Sequence, residues 1–344
     1  MNLLIYSRLD FTFKANLPIE FFEIVLDTII NSESSFVISG SGGETAQEDI
    51  AILHERSFFY IGIVKKISAE AIKTKINTTH FNSVLETEYL TVNYPLGNLG
   101  EHIKSLITNH LIASPDSTQN MTYLQVRNES IAQGAISVTK SEVKTIAQLI
   151  SELNATNGLR VETRLGIVNG EITHLKMVII DTVTTIKLRY DLALLRNLSI
   201  NEDGNIPINK AILYGDSLAT LTYYLLADGS VTANASHPLR ITPVKYSYIE
   251  YQSGDDPLAV AKQALIKDKF LHAITFDVTM DNQIFIPFSN IALGDQVEFI
   301  TKTKSIPSIL SQIAFKGTLK ECSIILGEHR MKLTEKLKMI ERRK

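Results

Sequence analysis

A switch in the spacing of apolar residues within residues 253–300 constrains the fold more than any other feature of this chain. Asp256 and Pro257 form a helix start, because a capping carboxylate is followed by a residue whose missing N–H needs no partner there. Apolar residues then recur at helical spacing through Leu265. The pattern therefore predicts a short helix that ends near Phe270.

Period-two alternation replaces the helical spacing directly after this helix. The alternating apolar residues are Ile274, Phe276 and Val278. They predict a strand with one buried face. A turn at Gly294 and Asp295 then begins a second strand that carries Val297 and Phe299, and Pro287 keeps the preceding segment out of a central strand. The three turn and strand residues Gly294, Asp295 and Val297 are expected to be structural.

Composition indicates a folded, soluble, multidomain chain. Its 344 residues exceed one ordinary core, which favours two to four domains. A formal charge of −3 provides no field that would attract nucleic acid, so sequence-specific nucleic-acid binding is not expected. The single cysteine, Cys322, rules out a disulfide framework, and its strand-like surroundings predict a small buried apolar residue.

The two ends of the chain have similar β-rich outlines. Within residues 1–88, alternation from Phe58 to Ile76 around a polar break predicts a hairpin. Residues 313–326 again show two strands and a glycine near the bend. We interpret the two ends, 1–88 and 251–330, as two small barrels of one type, although their sequences are too different to define a repeat.

Residues 89–158 show helical spacing and residues 159–250 show strands. One helix is predicted after Asn98, and a second over Ser141–Leu153, with Ser141 as its cap and Gly158 as its stop. Hairpin turns are predicted at residues 202–205 and 227–230, because Asp-Gly supplies the positive φ of a tight hairpin. The predicted fold class is therefore α+β: a β-rich, multidomain chain with a helical and a β domain between two terminal barrels.

These parts, in this order, resemble the baseplate hub proteins of tailed bacteriophages and prophages, the structural N-terminal module of tail-associated lysins (the prophage tail protein or prophage endopeptidase tail family). The resemblance is carried by the short helix, the alternating strand, the Ile-Pro-Phe segment at 286–288 and the Leu-Gly-Asp-x-Val turn at 293–297. Residues 212–225 and 240–245 resemble the middle β domain of the same proteins. The likeness covers most of the chain and depends on patterns, since no signature motif is present.

No catalytic, cofactor-binding or metal-ligating residue is predicted. The eight histidines show no metal-ligand spacing, and Gly40–Gly43 lacks the residues of a phosphate-binding loop. No Gly-x-Ser-x-Gly motif is present, and the carboxylates of Asp255 and Asp256 are adjacent, so their side chains point apart. We expect no cofactor and no enzymatic activity.

The final segment, residues 331–344, is predicted to be a basic amphipathic tail. Seven of residues 330–344 are basic and two are acidic, with apolar residues at helical intervals. A solvated terminal helix is the first interpretation, and docking on a partner subunit is the second. No signal peptide or membrane span is predicted, so assembly in the bacterial host cytoplasm is expected.

The resemblance implies a baseplate hub in the virion tail tip. Three copies would form a ring whose six barrels match the six-fold tail tube and distal tail protein and connect them to the three-fold tip, with tip and tape-measure proteins as further partners. Two alternatives stay open: a cell-wall-degrading enzyme, such as a peptidoglycan hydrolase or endopeptidase, and a carbohydrate-binding receptor module of the tail. The host, the receptor and the oligomeric state of the isolated chain do not follow from the sequence.

Overall fold

A computed structural model of the chain describes residues 1–28, 32–55, 58–70, 72–136, 138, 141–182, 186–202, 208–215, 219–227, 229–252, 255–266, 272–280 and 291–327. Four sequence predictions lie wholly or largely outside these residues: the helix end near Phe270, the segment around Pro287, the turn at residues 202–205 and the basic tail 331–344. No helix among the described residues is long and apolar enough to cross a membrane.

Six antiparallel strands close into a barrel at the N-terminal end of the chain. They are β1 (Asn2–Tyr6), β2 (Phe13–Asp27), β3 (Glu33–Ser39), β4 (Ile50–Glu55), β5 (Phe58–Glu70) and β6 (Lys73–His80). They pair in the order β1-β4-β5-β6-β3-β2, and β1 also pairs with β2, which completes the ring. The predicted hairpin is β5–β6, with Glu70 opposite Lys73. Closure leaves this barrel without a free strand edge on either side.

A sheet from the C-terminal half of the chain extends the barrel. Its strands are β14 (Ile186–Arg189), β15 (Arg196–Glu202), β20 (His272–Thr279), β21 (Gln296–Ile300), β22 (Ser305–Lys316) and β23 (Glu321–Gly327). From barrel strand β2 the hydrogen-bonded order is β22-β23-β20-β15, and β21 joins β22 to the parallel strand β14. The pairings between described residues do not close this sheet into a second ring.

Helices and short strands cover one side of the barrel. The first part consists of a 3₁₀ helix (Phe81–Glu86), β7 (Glu88–Leu90), β8 (Tyr94–Asn98) and α1 (Leu99–Ile107). A π-helical turn (Thr108–Ile112) and a 3₁₀ helix (Ser117–Gln119) follow α1. The second part consists of β9 (Leu124–Asn128), β10 (Gln133–Ile136), β11 (Val143–Thr145), α2 (Ile146–Asn157), β12 (Leu159–Val168) and β13 (Glu171–Asp181). Strands β12, β13 and β9 form one sheet, while β7 with β11 and β8 with β10 form two-stranded ribbons.

A separate four-stranded sheet packs on the third helix. Its order is β18 (Val231–Thr232), β17 (Leu221–Leu225), β16 (Lys210–Tyr214) and β19 (Tyr246–Glu250), and the helix is α3 (Pro257–Ile266). As predicted, α3 starts at Pro257, and the Asp256 carboxylate accepts a hydrogen bond from the Leu258 amide at 3.0 Å. Ala261 and Leu265 are fully buried against this sheet.

Two of the apolar cores join parts of the chain that are distant in sequence. The barrel interior is continuous with the C-terminal sheet, since Phe58 of β5 meets Phe315 of β22 edge to face, with ring centroids 5.1 Å apart. The outer face of β5, which carries Ile61 and Ile63, packs instead into the core formed by the two central helices. Alternate residues of one strand therefore supply two cores, which agrees with the period-two pattern read from the sequence.

One local prediction was wrong. Helix α2 begins at Ile146 and not after Ser141, because residues 143–145 pair with β7 and Thr145 caps the helix through a reciprocal bond with Gln148. The predicted turn at residues 202–205 falls largely outside the described residues; the strand before it, β15, pairs with β20, and the strand after it, β16, pairs with β17 and β19. The hairpin at residues 227–230 is confirmed by the pairing of β17 with β18.

The domain limits of the sequence analysis stay predictions. Strand β9, from predicted domain 89–158, pairs in parallel with β13, from predicted domain 159–250. Strands β14 and β15, also from 159–250, pair with strands of 251–330. Pairing across these limits means that the segments share sheets, whatever their limits as folding units are.

Candidate functional site

Three of the histidines are engaged in packing or hydrogen bonding: His80, His102 and His272. Loss of hydration lowers the pKa of His80 to about 4. The ring of His102 stacks on Tyr94 with centroids 4.3 Å apart, and His272 Nε2 lies 2.8 Å from the Ser308 hydroxyl. Across the described part of the chain, no three His, Cys, Asp or Glu side chains are placed to hold a metal ion.

Cys322 is buried, as its surroundings in the sequence predict. Only 3% of the residue is exposed, and its Sγ lies 3.8 Å from the Met280 Sδ. Burial raises the pKa of the thiol to about 12. A thiol that stays protonated is a poor nucleophile, so the side chain serves as a small apolar group in the C-terminal sheet.

The turn at Gly294 and Asp295 is the place where the C-terminal sheet meets α2 and β12. Gly294 has a φ of +86°, and its carbonyl accepts a hydrogen bond from Asn154 of α2 at 3.0 Å. The Asp295 carboxylate accepts a bond from the Ala292 amide at 2.7 Å, which closes the turn. The turn is therefore held both by its own backbone and by a helix 140 residues earlier in the chain.

Arg160 of β12 forms a buried ion pair with this turn. Its Nε lies 2.9 Å from the Asp295 carboxylate, and the two side chains are 10% and 7% exposed. The same guanidinium contacts Glu162, which also pairs with Arg164. One buried cation thus lies between two carboxylates, which compensates much of the cost of removing these charges from water.

The pKa values of the two carboxyls move in opposite directions. Burial raises the pKa of Asp295, although the adjacent Arg160 guanidinium opposes the shift. Burial also acts to raise the pKa of Glu162, but Arg160 and Arg164 together outweigh it and hold that pKa below its usual value. Glu162 is therefore the more firmly ionised partner of Arg160.

A groove of about 940 Å³ opens beside this ion-pair network. Helix α2 contributes Ile150, Ser151 and Asn154, and the ribbon of β7 and β11 lines the groove with Tyr89 and Lys144. The remaining walls come from α3, from β19 and from the C-terminal sheet, which ends at the lining residue Gly327. The volume lies at the upper end of the range for ligand pockets.

The second notable surface is a tyrosine-rich face of the four-stranded sheet. Tyr246 and Tyr248 of β19 are 59% and 62% exposed, and Tyr214 of β16 is 43% exposed. The ring of Tyr248 lies 5.9 Å from that of Tyr246 and 6.5 Å from that of Tyr214. Nearby, the Arg240 guanidinium stacks on Tyr224 at 4.0 Å. We call Tyr214, Tyr246 and Tyr248 the tyrosine face; such exposed aromatic groups are typical of binding surfaces.

Comparison with solved structures gives the class of fold. A tail protein from Neisseria meningitidis MC58 is 13% identical, with a TM-score of 0.54, over 95% of this chain and 97% of its own. Prophage tail protein gp18 from Listeria monocytogenes EGD-e is 14% identical, with a TM-score of 0.54, over 99% of both chains.

A third similar structure is the 43 kDa tail protein of prophage MuSo2 from Shewanella oneidensis, which is 10% identical with a TM-score of 0.53 and covers 96% of this chain and 98% of its own. No family model and no curated protein matches the chain. The chain has the fold of prophage tail proteins, and the resemblance inferred from its sequence is confirmed at the level of fold.

The contact of the turn at Gly294 and Asp295 with α2 and β12 has two sides, and the sequence analysis singled out only the residues of the turn. Gly294 and Asp295 were expected to be structural, and they form the turn that meets α2 and β12. Arg160 and Asn154 were not singled out. An arginine directly after the buried Leu159 was the available signal, since a charged residue inside a strand needs a partner if it is buried.

Proposed function

We propose that this chain is a structural component of a phage or prophage tail tip and acts as its baseplate hub. The likeness to prophage tail proteins extends over at least 95% of the chain in the three comparisons above, and this observation carries the proposal. A match over whole chains means that all parts of the fold have a similar arrangement. A match of one barrel alone would carry less weight, because small barrels occur in many unrelated proteins.

The hub acts as a homotrimeric ring in which each chain contributes two barrels. The closed N-terminal barrel is the first. In this proposal the sheet of β20 to β23, whose described strands do not close into a ring by themselves, supplies a wall of the second. Three chains then present six similar barrel surfaces to the six-fold tail tube and distal tail protein. On the other side they present three equivalent surfaces to the three-fold tip. Edge strands such as β14 and β15, which each pair on one side only among the described residues, support this proposal because edges of this kind are commonly covered by neighbours.

The tyrosine face is the contact that a neighbouring chain covers in this ring. Aromatic side chains are enriched in protein interfaces, and truncating a central one often removes much of the binding energy. Tyr248 is central, since its ring contacts those of both Tyr246 and Tyr214.

Size-exclusion chromatography with light scattering tests the ring, with and without the distal tail protein of the same prophage. We expect a trimer, at least in the mixture, and we expect Tyr248→Glu to weaken it at least tenfold. Ile131→Glu is the matched control, because Ile131 is also an exposed apolar residue (80%) but lies outside the tyrosine face. A trimer that tolerates both changes would move the interface elsewhere, and a chain that stays monomeric with its partner would contradict the hub.

The proposed hub is not an enzyme and acts at the virion tail tip after assembly in the bacterial host cytoplasm. Clearing of purified cell wall by the chain would overturn this part of the proposal. The tyrosine face also favours a second candidate function, carbohydrate binding by a tail receptor module, because sugars stack on exposed aromatic rings. Glycan-array binding that is lost in Tyr248→Ala would support this candidate.

A further inference from the structure

The groove beside α2 has a surplus of negative charge. Its lining contains three glutamates, Glu142, Glu152 and Glu250, and two cations, Lys144 and Arg160. Asp27 also lines the groove, but burial raises its pKa to about 7, so it adds only part of a negative charge near neutral pH. Both cations already have anionic partners. Lys144 lies 3.1 Å from Glu142 and 3.0 Å from Glu152, and the partners of Arg160 are described above. The lining therefore favours an occupant that brings positive charge.

The groove also offers an apolar floor and an unsatisfied acceptor. Apolar groups come from Ile150 of α2, Val260 of α3 and Leu293 of the turn before β21. Asn154 is 6% exposed, and its Oδ1 has no hydrogen-bond partner among the described residues, although its Nδ2 donates to Gly294. A buried carbonyl without a donor has lost its hydration and gained no hydrogen bond in return. An occupant with an N–H or ammonium donor would supply that hydrogen bond.

The chain itself carries a segment with this chemistry. Strand β23 ends in the groove wall at Gly327, and the sequence continues for 17 residues to Lys344. Between residues 330 and 344 it has seven basic and two acidic residues, with apolar residues at Met331, Leu333, Leu337 and Ile340. We propose that residues 331–344 bind in the groove of their own chain.

Three features support binding of residues 331–344 in the groove: their charge, their apolar residues and the position of Gly327 in the groove wall. The lysines of the segment meet the surplus carboxylates, and its apolar residues cover the floor around Ile150. Because the segment is attached at the groove wall, its effective concentration there is far above that of a separate molecule. The inference goes beyond the proposed hub function, since it concerns a contact within one chain and would hold for a monomer or a trimer.

Site-specific photo-cross-linking in the full-length chain tests the proposal. A benzophenone amino acid replaces Ser151, an exposed residue of α2 that lines the groove. The matched control carries the same group at Ser105, an exposed serine of α1 that does not line it. After irradiation and proteolysis, mass spectrometry should find peptides of residues 331–344 joined to α2, at least fivefold more often from position 151 than from position 105.

Two further measurements define what would overturn the proposal. Replacing Lys332, Lys336 and Lys338 by glutamate should reduce the yield from position 151 at least fivefold, and an unchanged yield would contradict the charge argument. Mixing isotope-labelled and unlabelled chains separates the sources, because a contact within one chain gives no mixed-label product. Mixed-label products alone, or equal yields from positions 151 and 105, would contradict docking in the same chain.

Discussion

The two ends of the chain use similar strands in different ways. In the N-terminal barrel each strand pairs on both sides, so the six strands form a closed ring. In the C-terminal sheet β22 pairs with barrel strand β2, while β15 lies at the far edge of the described strands. Both ends nevertheless share one continuous core. The comparison shows that similar alternation in two segments predicts similar strands and does not predict closure.

The two ends also differ in what lies outside their strands. Four of the six strand pairs in the barrel join strands that are consecutive in sequence, whereas β1–β4 and β3–β6 join strands about 35 to 50 residues apart. The C-terminal turn at Gly294 and Asp295 instead depends on Asn154 and Arg160, more than 130 residues earlier. We therefore expect the barrel to tolerate changes in its turns better than the C-terminal sheet does.

The largest expected effect tests whether the two ends fold as one unit. Phe315→Ala removes a ring that is 1% exposed and contacts Phe58 of the barrel. Loss of a buried phenylalanine of this kind costs about 3–5 kcal/mol. Unfolding in urea, followed by circular dichroism, should show a single transition moved to lower urea. Two separate transitions would mean that the shared core does not couple the ends.

The next effect concerns Asp27, which lies in β2 opposite Gln312, where barrel and sheet meet. Burial raises its pKa from 3.8 to about 7, and the hydrogen bond from Ser32 only partly opposes this. The folded state holds the proton more tightly than the unfolded state does. The stabilisation that comes from protonated Asp27 is therefore complete below pH 4 and is lost as the pH rises to 7. At about 1.4 kcal/mol per pKa unit, the loss is about 4 kcal/mol at most.

Asp27→Asn should remove this pH dependence. The free energy of unfolding of the variant, relative to the natural chain, should rise between pH 4 and pH 7 and then level off, as measured by urea unfolding at a series of pH values. Glu20→Gln is the control from the same strand, because a bond from Lys73 lowers the pKa of the exposed Glu20, so its small contribution has the opposite sign. A constant difference for Asp27→Asn would contradict the raised pKa.

Much of the fold could be predicted from the sequence because its elements have local causes. The start of α3 at Pro257, the strand at Ile274–Val278 and the hairpin of β5 and β6 all follow from caps, alternation and turns. The start of α2 could not, since Thr145 and Ser141 are both acceptable caps and only the pairing of residues 143–145 with β7 decides between them. The junction at Arg160 was missed because its partner is 135 residues away, a distance that no local pattern reports.

The third prediction compares a buried ion pair with an exposed one. Asp295→Asn keeps the acceptor for the Ala292 amide but removes the charge that Arg160 faces. Since Arg160 keeps Glu162, we expect a loss of about 2 kcal/mol, which is less than for a buried cation left alone. Arg160→Met combined with Asp295→Asn should cost less than the sum of the single changes in urea unfolding. Additive effects would mean that the two groups do not interact. The control is the exposed barrel pair Lys73–Glu20, and breaking this pair in the same way should change the free energy of unfolding little.

The smallest effect compares two glycines with the same φ. Gly40, next to barrel strand β3, and Gly294 both have a φ of +86°, so an alanine at either position has a strain from its positive φ on the order of 1–2 kcal/mol. At Gly40 a Cβ would meet nothing within 4 Å, whereas at Gly294 it would lie 3.0 Å from Asn154 Nδ2 and 3.5 Å from Arg160. Gly294→Ala should therefore cost about 1 kcal/mol more than Gly40→Ala in thermal unfolding, because Asn154 must move and weaken its bond to the turn. Equal losses at the two positions would mean that the C-terminal turn can relax as freely as the barrel turn. The contact with Asn154 would then add no constraint to the turn at Gly294, and the proposed difference between the two ends would be wrong.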